Sequence, residues 1–334
     1  DGLLSAVRFQ GERAFGAVRP VESAAYLEEA RAGRRLHGPG APRLRRLLKG
    51  PRGRAKNTGN TSVFRMAGRT YAQVESSRPL EIDPADLATV GERDLGVIAG
   101  AFSAHPHYVP ALETTFNFGL RWGKTTYLDV YAVPDAGRAR KLTEIPLPWG
   151  AFIHDFAATD THLVFLVPPT KVRPLRALLQ LGGFADWFAW RPELGTRALV
   201  VPLDAPDRVQ RVDLPPFWFF HVGATARRPT AVEVDVVASV DDTVVRTLGT
   251  DVPAPPALYT RLRVPLRGGE ATRDVLFDDA CEFPRVDPRH EGAGPRFAWV
   301  SVRGGGVARL ALDAGAHQVW RPGGDVATSE PVFV

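Results

Sequence analysis

Sulfur is scarce in this chain: Cys281 is its only cysteine. A lone thiol excludes a disulfide within the chain and fits a reducing cytoplasm. No uninterrupted apolar run is long enough to cross a bilayer, so no transmembrane helix is expected. The first residues, Asp1-Gly2-Leu3-Leu4, have neither a basic stretch nor a long apolar core, so they do not read as a signal peptide. They also lack an initiating Met, which fits a mature or cut end. Zinc signatures are missing: there is no His-Glu-x-x-His and no cysteine pair. No short tandem repeat marks a familiar repeat array.

The composition is that of a soluble globular protein, with 44% hydrophobic and 24% charged residues. Its 334 residues suffice for a large core, as one big domain or two. Glycine (32) and proline (29) are spread along the chain, which favours many short strands and turns over long helices. The net charge of +5 is uneven: residues 31–56 hold ten Lys or Arg and no acid, so the remainder is net acidic. That distribution argues against a nucleic-acid binder. The basic stretch reads either as a solvated Arg-rich loop or as a contact for anionic lipid headgroups.

A short alternating run, Leu4–Phe9, precedes a turn at Gln10-Gly11-Glu12. Residues 22–35 form the best helical candidate, and 22–56 together read as a helix and basic-loop excursion. Ser62–Met66 and Thr70–Val74 flank Ala67-Gly68-Arg69 as a hairpin. Further strands are expected at 126–133, 161–167, 197–202, 231–238, 258–264, 271–277, 296–302 and 306–312. This density argues for an all-β sandwich, barrel or propeller, and the length suits a propeller with long excursions. Residues 172–190 form an apolar excursion, with Leu175, Leu178, Leu179, Leu181, Phe184, Trp187, Phe188 and Trp190. It reads as a patch dipping into one membrane leaflet, as the mouth of a tunnel for a greasy substrate, or as a loop folded back into the core.

Three histidines sit in comparable apolar settings: Ala104-His105-Pro106, Ile153-His154-Asp155-Phe156 and Phe219-Phe220-His221. The second lies between two stretches of apolar strand character, Trp149–Ile153 and His162–Val167. They are too far apart in sequence to share a helix turn or a hairpin. A propeller brings the inner strand of each blade to a common axis, so such residues can converge on a metal. An all-imidazole site suits Fe(II), Zn or Cu by ligand type. Glu75, Glu282 and Glu330 lie near strand segments, where a carboxylate can accept the proton of a ligand's second ring nitrogen. The other histidines read blandly: His107 solvent-facing, His37 in the basic loop, His162 and His290 on the surface, His317 on a strand.

The order of these motifs resembles the carotenoid cleavage oxygenases, the group that includes apocarotenoid and lignostilbene cleaving dioxygenases and the retinoid isomerohydrolase. Asn57-Thr58-Gly59-Asn60-Thr61 with Ala67-Gly68-Arg69 is similar to the family's Asn-Thr strand and turn. Val74-Glu75, Arg78-Pro79 and Leu87-Ala88-Thr89-Val90-Gly91 follow in the family's order. The three histidine motifs come next, Ile153 through Thr159 being the most specific. Glu282-Phe283-Pro284-Arg285-Val286-Asp287 and Ser329-Glu330-Pro331-Val332-Phe333-Val334 complete the series. Two departures stand out. Val222-Gly223-Ala224 follows His221 where the family usually has an Asn before Ala, and His317 does not match the family's fourth histidine.

The resemblance implies a seven-bladed β-propeller with a helical and loop cap over a metal-bearing axis. It implies a single propeller domain over 1–334, incomplete because the N-terminal and C-terminal portions are missing. It implies Fe(II) held by four histidines, of which His105, His154 and His221 match three. Glu75, Glu282 and Glu330 match the carboxylates that orient ligand imidazoles. The implied reaction is cleavage by O2 of a conjugated double bond in a carotenoid, apocarotenoid or stilbene-like substrate, giving carbonyl products. The excursion 172–190 falls where the family has its membrane-facing patch, so a cytoplasmic enzyme peripheral on a membrane is expected. Two other functions stay open: a propeller with a degenerate site that serves as a lipid-binding or interaction module, and a zinc hydrolase using three histidines and a water.

Overall fold

The computed structural model describes residues 1–37, 56–179, 181–248, 250, 252–324, 326 and 328–333. Most of the expected basic loop, residues 38–55, therefore lies outside the described residues.

The chain opens with a hairpin, β1 (Leu3–Gln10) and β2 (Arg13–Pro20), turning at the expected Gly11. Helix α1 (Ala24–Ala32) follows, N-capped by the Ser23 hydroxyl and closed by Gly33 in the left-handed region. Five four-stranded sheets come next. The first holds β3 (Ser62–Met66), β4 (Arg69–Gln73), β5 (Leu80–Ile82) and β6 (Thr89–Glu92). The second holds β7 (His107–Val109), β8 (Thr114–Arg121), β9 (Tyr127–Pro134) and β10 (Arg140–Pro146). The third is built from β11 (Ala157–Ala158) and β12 (His162–Val167), then β15 (Thr196–Pro202) and β16 (Gln210–Leu214). Between them runs the small hairpin β13 (Thr170–Val172) and β14 (Phe188–Trp190), with the short helix α2 (Pro174–Leu178) inside it. The fourth holds β17 (Trp218–Arg227), β18 (Ala231–Ser239), β19 (Leu258–Pro265) and β20 (Thr272–Phe277), with helix α3 (Thr243–Arg246) in the β18–β19 connection. The fifth holds β21 (Cys281–Val286), β22 (Phe297–Val302), β23 (Val307–Ala311) and β24 (Ala316–Trp320). In every sheet the strands follow one another in chain order, the meander of a propeller blade.

The chain divides into two compact units. The first comprises Asp1–Pro106, Thr114–Pro146 and Leu178–Gln180. Its apolar clusters join Leu4, Val21, Ala72, Leu80 and Ile82 in one group, and Met66, Tyr71, Ile98, Phe102, Tyr131 and Val133 in another. The second comprises His107–Glu113, Leu147–Ala177 and Leu181–Val334. Here β18 shows why alternation matters. Val232, Val234 and Val236 are fully buried in one cluster, while the intervening Glu233 and Asp235 meet Arg261 and Arg263 on β19. β12, by contrast, is buried from Leu163 through Val167, the mark of a strand covered on both faces.

One expected strand does not form. Trp149–Ile153 has no regular structure, although Ala151 and Ile153 are buried. Its polar groups are satisfied locally: Ala151 N donates to Trp149 O, Val172 N donates to Gly150 O, and the Trp149 indole donates to Pro168 O. Apolar character here reports burial, and the ladder is supplied elsewhere. In the 172–190 excursion Leu175, Leu179 and Leu181 are exposed, whereas Phe188 is buried. No helix among the described residues is long and apolar enough to cross a membrane.

Candidate metal centre

His105 lies on the irregular segment between β6 and β7. That segment is pinned within the first unit: Ser103 N donates to Phe118 O, Asn117 Nδ2 donates to Ser103 O at 2.8 Å, and Ser62 Oγ donates to Ala104 O. His105 N itself donates to Ser103 Oγ. The close approach depends on Gly119 in β8, because a Cβ there would stand 1.9 Å from Ala101 O.

His154 stands in the extended stretch just before β11, where Ile153, Asp155 and Phe156 are buried. His221 is on β17, whose register against β18 shifts between Phe219 and Val222 and again between Val222 and Thr225. A bulge lets neighbouring side chains point the same way. Accordingly both Phe220 and His221 face His154, with ring centroids 5.3 and 5.1 Å from it. After His221 the backbone presses against Tyr259: a Cβ on Gly223 would lie 2.7 Å from the Tyr259 hydroxyl, which accepts the Ala224 N–H. This is the physical reason for glycine at the position where the motif departs from its family.

His154 and His221 thus bring two imidazoles together within the second unit, their ring planes at 73°. His221 Nδ1 is bonded to Glu282 Oε2 at 2.7 Å. In the neutral imidazole this leaves the lone pair on Nε2, the tautomer a metal requires. Burial alone would lower the His221 pKa, but the bond and charge of Glu282 outweigh it and raise the pKa. Glu282 sits where β21 bulges against β22, next to Phe283, which has a positive φ of 56° and a ring 5.3 Å from His221. With Phe152 6.0 Å from His154, aromatic rings surround the imidazoles. Neighbouring imidazoles are donors that fit a divalent first-row metal.

Glu75 accepts from Thr61 Oγ1 at 3.4 Å. Glu330 forms an ion pair with Arg285 at 2.5 Å and still contributes to raising the His221 pKa.

His107, expected to face solvent, is instead largely enclosed between two carboxylates, its side chain 13% exposed. Its Nε2 meets Asp155 Oδ1 at 2.8 Å and its Nδ1 meets Glu291 Oε1. Burial works against the imidazolium, but Asp155 and Glu291 prevail and push the pKa up to about 10. Sequence reasoning passed over this trio, because Glu291 lies in another part of the chain and carries no motif. His37, in the loop after α1, has its Nε2 bonded to Glu28 at 2.8 Å and a side chain only 10% exposed.

Residues 1–334 in full match the family described as retinal pigment epithelial membrane protein. The chain belongs to that family, the carotenoid cleavage oxygenases. Among the curated relatives of this oxygenase family is apocarotenoid-15,15'-oxygenase from Synechocystis, 25% identical over 326 residues, covering 90% of this chain and 65% of that protein. Isoeugenol monooxygenase from Pseudomonas nitroreducens is 28% identical over 251 residues, covering 72% and 50%. Resveratrol cleavage oxygenase 1 from Aspergillus fumigatus is 31% identical over 206 residues, covering 60% and 40%. The chain therefore spans only about half to two thirds of the length of the first two. Among solved structures, cobalt-substituted Synechocystis apocarotenoid oxygenase superimposes with a TM-score of 0.87 at 23% identity, covering all of this chain and 75% of that one. An apocarotenoid oxygenase chimera gives 0.88 at 23% identity, again over all of this chain and 75% of the other. This likeness shows the fold of the family: an all-β propeller, with five four-stranded blades among the described residues.

Proposed function

We propose that this chain is the metal-bearing part of an Fe(II)-dependent, non-haem dioxygenase that splits a conjugated double bond of an apocarotenoid, carotenoid or stilbene-like substrate into two carbonyl products. The observation that carries the reading is the pairing of the His154 and His221 rings, centroids 5.1 Å apart, with Glu282 Oε2 bonded to His221 Nδ1. The relatives named for apocarotenoid and resveratrol cleavage support the substrate class, and they share its chemistry: an extended alkene in conjugation. The reading extends to a seven-bladed propeller in the full-length protein.

His105, His154 and His221 would hold the iron, and Glu282 would keep the His221 ring oriented. Bound there, Fe(II) supplies the one-electron chemistry that lets dioxygen react with a spin-paired alkene. Both oxygen atoms end in the products, one on each carbon of the broken bond, so no external reductant is consumed. Phe152, Phe220 and Phe283 would keep water away from the imidazoles and offer ring faces and edges to a polyene. The exposed leucines 175, 179 and 181 would rest on a membrane surface from which an apolar substrate is drawn.

Metal analysis combined with oxygen uptake tests the reading. Stoichiometric iron, O2 consumption and aldehyde products from an apocarotenoid or a hydroxylated stilbene are expected. His154→Ala should lose the iron. Iron-free, folded protein would refute the dioxygenase reading in favour of the degenerate binding module, and stoichiometric zinc with hydrolysis would favour the hydrolase.

A further inference from the structure

We infer that Asp155 is a positioning residue that locks His154 and His221 into a common geometry, and that His107 and Glu291 hold it in place. The inference rests on the reading of those two histidines as metal ligands. It concerns how the second unit sets the distance between them.

Asp155 follows His154 directly and is almost fully buried. Its Oδ2 accepts the backbone N–H of Val222, the residue after His221, at 2.7 Å. Its Oδ1 accepts the N–H of Phe156 at 2.7 Å and meets His107 Nε2 at 2.8 Å. One carboxylate thus ties the backbone beside one candidate ligand to the backbone beside the other. This matters because neither backbone is held by a regular ladder there. His154 precedes β11 on an irregular stretch, and β17 is out of register on both sides of Val222. In a regular sheet the ladder would fix both; here a side chain takes its place.

The clamp is itself buttressed. The His107 ring meets Phe156 edge-on, with centroids 4.8 Å apart, and bridges to Glu291. Glu291 leads a segment anchored back onto β17: Gly294 N donates to Thr225 O at 2.9 Å, and Ala293 bridges to Ala226. Thr225 Oγ1 in turn donates to Ala158 O in β11. At Gly292, φ is +76° and a Cβ would lie 2.8 Å from Ala158 O, so only glycine allows this return. The stretch bearing His154, the strand bearing His221 and the segment bearing Glu291 therefore close on one buried carboxylate.

Cobalt(II) is the probe, since its visible d–d bands report ligand geometry without turnover. The wild-type protein should bind Co(II), and its failure to bind any Co(II) would overturn the metal reading and this inference with it. Asp155→Ala should weaken Co(II) binding roughly 10- to 100-fold, the range typical of groups that orient metal ligands, and should shift the d–d bands. His107→Leu should do the same to a smaller extent. His107→Gln, whose amide can still donate to Asp155, should restore the wild-type spectrum; a merely structural role would not require that rescue. Circular dichroism confirms that each variant is folded, and if Asp155→Ala does not fold, the His107 pair carries the test. Wild-type affinity and an unchanged spectrum in folded Asp155→Ala and His107→Leu proteins would overturn the inference while leaving the metal reading intact.

Discussion

Glu282 Oε2 stands 2.7 Å from His221 Nδ1 and accepts the Phe283 N–H at 2.6 Å. The carboxylate is thereby held by its own strand bulge while it holds the imidazole. Removing it should leave His221 free to rotate and to change tautomer. Glu282→Ala is expected to lower metal affinity by about 10- to 100-fold, with Glu282→Gln less affected because its amide oxygen can still accept from Nδ1. Competition against a coloured chelator measures both.

A second prediction concerns a charge with no exposure at all. Asp235 on β18 is paired with Arg261 through two bonds of 2.7 and 2.9 Å, and Tyr259 donates to it at 3.2 Å. Burial raises the Asp235 pKa even against the pull of Arg261. Arg261→Ala leaves this carboxyl buried beside one hydroxyl, so it should cost about 3–5 kcal/mol. Chemical denaturation would read this as a lower midpoint.

Acid should release another contact. The Glu29 carboxylate on α1 accepts from Lys56 Nζ at 2.5 Å, Leu36 N at 2.7 Å and His37 N at 2.8 Å. The Lys56 bond, opposed in part by burial and helped by the two backbone groups, lowers its pKa from 4.5 to about 2. A depressed folded-state pKa contributes stability that is fully present above the unfolded value and lost as pH falls through the folded one. Wild type should therefore be more stable than Glu29→Gln at neutral pH, and the gap should narrow between pH 4.5 and 2. Melting temperatures of both proteins across that range decide it.

Steric contact makes Gly119→Ala a sharp test of the loop that carries His105. The added methyl would start 1.9 Å from the Ala101 carbonyl oxygen, a backbone atom that cannot swing aside. Displacing it should cost roughly 3 kcal/mol or more. It should also weaken metal binding, because the displaced segment leads into His105. A folded variant with wild-type melting and metal affinity would contradict this.

The strands with the clearest alternation were legible in the chain. β9, β12, β15, β18, β19, β20, β22 and β23 lie within about a residue or two of where alternation and turn glycines place them. Trp149–Ile153 shows why apolar runs mislead: Ala151 and Ile153 are buried, yet the segment forms no ladder. Short or less regular strands such as β5, β7 and β17 left no such alternation to read. His154 and its neighbours Ile153, Asp155 and Phe156 carry the most specific motif, and motif order alone marked His105, His154 and His221 together with Glu75, Glu282 and Glu330.

Local sequence thus determined where several strands form and which side chains are candidates for the chemistry, because backbone preference and side-chain type act over a few residues. Only the tertiary structure decided their company. The bulges that turn Phe220 and His221 together, the enclosure of His107 between Asp155 and Glu291, and the bond from Val222 to Asp155 all join residues far apart in the chain. Such pairings depend on register and on where each loop closes, and neither leaves a periodic trace in the sequence.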